Sequence, residues 1–299
     1  MLSPPQATPI QEITDPLLDQ CGVRLLVKRC DLVHATISGN KWYKLKYNLL
    51  AARQQGQDTL LSFGGAYSNH IYALAAAGDE YDFKTIGVIR GEARQPLNAT
   101  LQFAVAHGMS LYYLNRVDYR EKESPVFLQQ LQQQLGQFYL LPEGGTNRLA
   151  VEGCREILED VTEPFDIVAC ACGTGGSFAG VVAALHGQQR ALGVAVLKGA
   201  GFLGDVVKEW VWKSVSQRFD NWQIEYDCHH GGYAKVTPEL LVFMQRFERM
   251  HGIFLDPVYT GKLFFALYGL AAKGRFERGT TLLAIHSGGL QGRAGFGLS

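Results

Sequence analysis

Phe165-Asp166-Ile167-Val168-Ala169-Cys170-Ala171-Cys172-Gly173-Thr174-Gly175-Gly176-Ser177-Phe178-Ala179 is the stretch on which the fold turns. Residues 165–172 form an apolar run that reads as a buried strand. Glycines then make a turn, and from Ser177 an apolar helical pattern runs to Leu185. Strand, glycine turn and helix start together form an anion site. Glycines let backbone amides approach a ligand, and the positive end of the helix faces it. Thr174 and Ser177 add hydroxyl donors, but the loop holds no lysine. A phosphate bound here is therefore expected to be met by amides alone. A turn whose glycines serve packing only is the plainer alternative, since such turns are common in α/β folds.

The same alternation extends outward along the chain. Residues 23–28, 59–63, 85–90, 110–114, 138–141 and 280–285 read as strands, with helices at 41–55 and 68–77 among the intervening segments. This is the pattern of an α/β protein with open, mainly parallel sheets and flanking helices. The Gln-rich stretch 129–134 reads as the wet face of a helix whose apolar side carries Leu128, Leu131 and Leu135. No repeat or low-complexity linker marks a domain boundary.

Composition narrows the function classes. The chain has 299 residues, 47% hydrophobic and 19% charged, with a formal net charge of zero. That is enough material for two lobes, and the lack of any basic block argues against nucleic acid or an anionic membrane as partner. Residues 1–18 lack the basic and apolar regions of a secretory signal, and no apolar run approaches the ~20 residues that span a bilayer. Six cysteines without a C-x-x-C pair read as reduced thiols in a cytoplasmic protein. Cys228-His229-His230 has poor metal-ligand spacing and reads as structural, so no metal is expected.

Two nucleotide motifs fail on the glycine loop. Phe178 occupies the third glycine position of a dinucleotide fingerprint, and no Gly-Lys-Ser/Thr ending is present. A hydrolase elbow comes closer. Gly175-Gly176-Ser177-Phe178-Ala179 is one residue from G-x-S-x-G, and Asp256 and His286 follow in triad order. The double glycine and Thr174 suit a cradle of several amides better than one strained nucleophile. A serine hydrolase with Ser177 is therefore a distant alternative, and it leaves the next motif unused.

That motif is Ser38-Gly39-Asn40-Lys41-Trp42-Tyr43-Lys44. A lysine at a helix start, with Lys44 one turn on, is biased toward the neutral amine that forms Schiff bases. Alone, such a lysine is usually just solvated. Here it has company in Gly64-Gly65-Ala66-Tyr67-Ser68-Asn69-His70, Asp256-Pro257-Val258-Tyr259-Thr260-Gly261-Lys262 and His286-Ser287-Gly288-Gly289. Each could be an ordinary turn or cap.

In this order, over most of the chain, these motifs resemble the 1-aminocyclopropane-1-carboxylate (ACC) deaminase and D-cysteine desulfhydrase family. That family depends on pyridoxal 5′-phosphate (PLP) and has the type II, tryptophan-synthase-β-like fold. The resemblance implies that Lys41 carries PLP and that Ser68 is an acid/base or nucleophile at the substrate. Asn69 would hydrogen-bond the cofactor's phenolic oxygen. Gly173, Thr174, Gly175, Gly176 and Ser177 would hold the phosphate, and Tyr259 would stack near the ring. Tyr233 in Gly-Gly-Tyr-Ala-Lys matches a second family tyrosine near the substrate, and His70 follows the desulfhydrase pattern. The implied larger lobe is 1–41 with 152–299, and residues 42–151 form a smaller inserted lobe. The expected partners are a small amino-acid substrate and a second copy of the chain in a homodimer.

Two positions choose between the family's reactions. Where ACC deaminases have Glu after the motif tyrosine and Leu before the last glycine pair, this chain has Thr260 and Ser287. Neutral hydroxyls near the cofactor's ring nitrogen suit β-elimination of a good leaving group. D-cysteine desulfhydrase-like cleavage to pyruvate, ammonia and sulfide is the expected activity, with ACC deamination the alternative. A silent PLP-binding protein is a third reading, weakened by the presence of Ser68 and Tyr259. Lys28-Arg29-Cys30-Asp31 departs from the family's Lys-Arg-Glu-Asp.

Overall fold

Strand and helix alternate along the computed structural model, which describes residues 6–298. The strands are β1 Ile10–Ile13, β2 Arg24–Lys28, β3 Thr59–Gly64, β4 Lys84–Arg90 and β5 Met109–Leu114. They continue as β6 Tyr139–Leu141, β7 Ile167–Cys172, β8 Arg190–Ala195, β9 Trp222–Glu225 and β10 Thr281–Ile285. They form two sheets, one in the order β1-β2-β10-β7-β8-β9 and the other β5-β4-β3-β6. All pairings are parallel except β1 with β2, where Ile10 lies opposite Lys28. Parallel sheets need both faces covered, which is why β3 is buried at every residue. We propose residues 42–151 as the smaller lobe, since all four strands of the second sheet fall within that span. The boundary at 41/42 lies inside the continuous helix Asn40–Gln54.

Close backbone approach joins the helices of the two segments. A Cβ on Gly153 would lie 1.9 Å from the Tyr43 carbonyl oxygen, and one on Gly180 would lie 2.6 Å from that of Val151. The helices Asn40–Gln54, Arg148–Arg155 and Gly176–Ala184 therefore stack backbone to backbone, with glycine where they touch. Several helix starts follow ordinary capping rules. Ser68 Oγ accepts from the Ile71 amide, Asn98 caps Ala99–Ala106, and Asn147 caps Arg148–Arg155.

Three strands were absent from the sequence reading: β1, β8 and β9. Both β1 and β9 are four-residue edge strands with polar residues between apolar ones. The third, β8, is Arg-Ala-Leu-Gly-Val-Ala, whose small residues have weak strand preference. Gly193 is needed there, because a Cβ would lie 2.8 Å from Cys172 Sγ.

Candidate active site

Parallel strands deliver the chemistry. Ligands of open α/β sheets bind outside the carboxyl ends of the strands, and the motif residues emerge there from both sheets. The 173–177 loop follows β7, the 286–289 turn follows β10, and the 65–70 segment follows β3. The turn at Ser38-Gly39 meets the one at 287–289 directly. The Asn40 amide donates to the Ser287 carbonyl at 3.2 Å, and a Cβ on Gly39 would lie 1.9 Å from that oxygen. Gly39 also has φ 65° and ψ −143°, a backbone conformation that suits glycine.

Lys41 thereby sits in the first turn of its helix, in the cleft. Lys41, Lys44, Asn69, Gly173, Tyr259 and Ser287 line one chamber, together with Thr174, Gly175 and Ser177. Burial first, and the neighbouring Lys44 charge second, push the Lys41 amine down to about 7. Its proton leaves as pH rises through that value, so the nucleophilic amine is present near neutrality.

The glycine loop is built as an amide cradle. Gly175 adopts φ 77°, ψ −20° and caps the nine-residue helix Gly176–Ala184, so that helix's free amides face the chamber. Ser177 Oγ accepts from Asn40 Nδ2 at 2.8 Å, which ties the loop to the turn before Lys41. Thr174 shares a 2.7 Å hydrogen bond with Thr146. Lys44 lines the same chamber as the amides of the loop. Its Nζ donates to Thr146 Oγ1 and to the Gly144 carbonyl, both at 2.9 Å, so the helix of Lys41 is tied to the 144–146 turn, and burial lowers the proton affinity of this amine.

Above Lys41 a second chamber of about 340 Å³ opens, lined by Lys41, Ser68, Asn69, His70, Tyr233 and Tyr259 among others. Both ring nitrogens of His70 are buried without a hydrogen-bond partner. Burial and the Lys41 and Lys44 charges hold this imidazole well below its usual range, so it is neutral. Tyr233 packs edge to face on Tyr259, with ring centres 6.3 Å apart. Burial keeps the Tyr259 phenol protonated. Asn69 Oδ1 accepts from Gln291, and a Cβ on Gly289 would lie 2.5 Å from Asn69 Nδ2.

Thr260 does not join this group. It is fully buried and absent from the residues lining either chamber. Its Oγ1 accepts from the Asp256 amide at 2.8 Å, so the hydroxyl belongs to the turn rather than the cavity. Ser38, which opens the Lys41 motif, and Thr36, which lies outside every motif, supply hydroxyl-bearing side chains to the lining. The pieces of a hydrolase triad are also engaged elsewhere. Ser177 Oγ meets Asn40 and Cys154; His286 Nε2 lies 2.7 Å from the Phe254 carbonyl. Asp256 accepts the amides of Val258, Tyr259 and Thr260.

These features fit a phosphate-bearing aldehyde: an amine deprotonated near neutrality, an amide cradle beside it, and buried imidazole nitrogens without a partner in the adjoining chamber. Comparison with known proteins agrees. Residues 3–288 match the family described as "Pyridoxal-phosphate dependent enzyme". A Pyrococcus horikoshii protein, provisionally named 1-aminocyclopropane-1-carboxylate deaminase, is 30% identical over 98% of this chain and 92% of its own. The Arabidopsis thaliana mitochondrial bifunctional D-cysteine desulfhydrase/1-aminocyclopropane-1-carboxylate deaminase is 29% identical, over 95% of this chain and 77% of its own. The crystal structure of an ACC deaminase homologue superimposes with a TM-score of 0.87 at 28% identity, covering 98% of this chain and 93% of that one. The two-lobed α/β architecture is the type II fold of PLP enzymes. No helix among the described residues is long and apolar enough to cross a membrane.

Proposed function

Because the chain belongs to the pyridoxal-phosphate-dependent enzyme family, we propose that it cleaves D-cysteine or a similar β-substituted amino acid to pyruvate, ammonia and the released thiol. One observation carries this reading: none of the described residues lining the chamber beneath Lys41 is a carboxylate. Asp256, the nearest acidic residue in the motifs, is wholly buried and bound by three amides of its own turn.

Lys41 would hold the cofactor, and amides of residues 173–177 with Lys44 would hold its phosphate. When bound, PLP supplies a sink for the electron pair left at the substrate Cα after deprotonation. The Lys41 amine, with its low proton affinity, suits exchange of that proton near neutral pH. Ser68 Oγ faces the upper chamber while capping its helix, and the Tyr259 phenol stays a proton donor. Ser287 lines the lower chamber and is one of the two hydroxyls expected at the ring nitrogen. A neutral partner makes a shallower sink than a carboxylate, so bond cleavage depends more on the leaving group. Thiolate leaves readily, and a ring carbon does not.

ACC deamination has the names of the Pyrococcus and Arabidopsis relatives in its favour. Keto-acid release from D-cysteine, L-cysteine, D-serine and ACC by the purified protein separates the readings. D-cysteine is expected to exceed ACC by roughly tenfold or more in kcat/KM, about 1.4 kcal/mol in barrier. Efficient ACC cleavage would overturn the elimination reading and leave the cofactor assignment standing.

A further inference from the structure

Beyond the upper chamber lies an outer one of about 370 Å³, and the two share Gly65, Asn69, Arg90, Tyr233 and Tyr259. Its walls include Tyr67, Tyr233, Tyr259 and Phe296, and Arg90 is its one charged residue among those described. Arg90 ends β4, so it stands at the carboxyl edge of the second sheet and faces the cleft. Its guanidinium lies beside Gly65 in the substrate segment, where a Cβ would come 3.8 Å from one of its nitrogens.

Among the described residues this guanidinium has no carboxylate partner. Its guanidinium carbon stands 5.7 Å from the centre of the Tyr119 ring, and its charge also reaches the Tyr233 phenol. Glu143 lines the same upper chamber but is engaged elsewhere: Tyr119 donates to it at 3.0 Å, and Lys122 lies 3.6 Å away. An arginine without a carboxylate partner, in a chamber of aromatic and neutral groups, is a fork waiting for a planar anion. Lys41, Gly173 and Thr174 line the upper chamber but not the outer one, so among the described residues Arg90 alone brings charge to the outer chamber.

We infer that Arg90 is a specificity residue that receives an acid group at the far end of the substrate's side chain. The preferred substrate is then a β-substituted alanine whose substituent ends in a carboxylate or similar anion. The tyrosine-walled outer chamber would hold the linking atoms. This inference rests on the amino-acid elimination reading above and extends it from a three-carbon substrate to a longer one.

The test uses two ligands that differ only in charge: S-(carboxymethyl)cysteine and S-(carbamoylmethyl)cysteine, each as both enantiomers, on the PLP-loaded enzyme. Dissociation constants come from the change in visible absorbance, and kcat/KM from pyruvate release. The acid is expected to outperform the amide by about tenfold to a hundredfold, the range for a hydrogen bond to a charged group. The preference should shrink as salt rises, since the site is open to solvent. Arg90→Gln should reduce the ratio to about one through the acid's binding, leaving D-cysteine turnover in place. Arg90→Lys should restore part of it. Equal use of acid and amide by the wild type, or a ratio unchanged in Arg90→Gln, would overturn the inference while D-cysteine turnover kept the elimination reading intact. Failure to bind or turn over any of these amino acids would overturn both.

Discussion

Gly39→Ala is expected to be the most damaging single-methyl change in the site, lowering stability by roughly 3–5 kcal/mol. Two causes add. The backbone at φ 65°, ψ −143° is strained for any residue with a Cβ. That Cβ would also stand 1.9 Å from the Ser287 carbonyl oxygen, a backbone atom that cannot rotate away as a flexible side chain would. The two turns would have to separate, breaking the Asn40-to-Ser287 hydrogen bond and displacing Lys41. Thermal unfolding should fall by roughly 10 °C, and the holoprotein should lose visible absorbance. Gly56→Ala is the control. Gly56 also has a positive φ, 68°, but its Cβ would meet nothing within 4 Å, so only about 1 kcal/mol is expected. Equal shifts in the two variants would mean the approach of the turns is not tight.

Gly176→Asp should abolish cofactor retention, weakening PLP binding by roughly a hundredfold or more. Gly176 is the first residue of its helix, and a Cβ there would lie 2.5 Å from Thr146 Cγ2 and 2.8 Å from Thr146 Oγ1. Thr146 in turn holds Thr174 and Lys44, so the cradle and the Lys44 amine are disturbed together. The new carboxylate would also carry negative charge into an amide nest built for an anion. Binding is read by spectral titration of the apo-protein, with circular dichroism to establish that the variant is folded. A folded Gly176→Asp that bound PLP as tightly as wild type would move the phosphate site elsewhere.

Much of the architecture was legible because the central strands are apolar throughout. Residues 59–63, 165–172 and 280–285 mark β3, β7 and β10, and each leads into a glycine turn. The edge strands β1 and β9 were not legible, because four residues with polar neighbours carry too little periodicity. Strand β8 was hidden by its need for small side chains against Cys172 and Phe178.

The site was legible where a motif is continuous and less so where it is assembled. Lys41, Asn69, Ser177 and Ser287 converge from four motifs, and Tyr259 closes the same cavity from a fifth. Lys44 appeared in the sequence only as a neighbour of Lys41. Its bonds to Gly144 and Thr146 cross about a hundred residues, which no local pattern encodes. Thr260 is held for a local reason. A hydroxyl four residues after Asp256 can fold back onto that turn, and here it does. Arg90 gave no signal at all, since an arginine ending a strand is ordinary until its empty surroundings are seen.

The most direct measurement fixes the cofactor in place and finds where it is attached. The holoprotein is reduced with borohydride, digested, and its peptides sequenced by mass spectrometry. The pyridoxyl mass should lie on Lys41, with Lys44 unmodified, and Lys41→Ala should yield no modified lysine. A label on Lys44 or another lysine, or reduced wild-type protein without a label, would contradict the account.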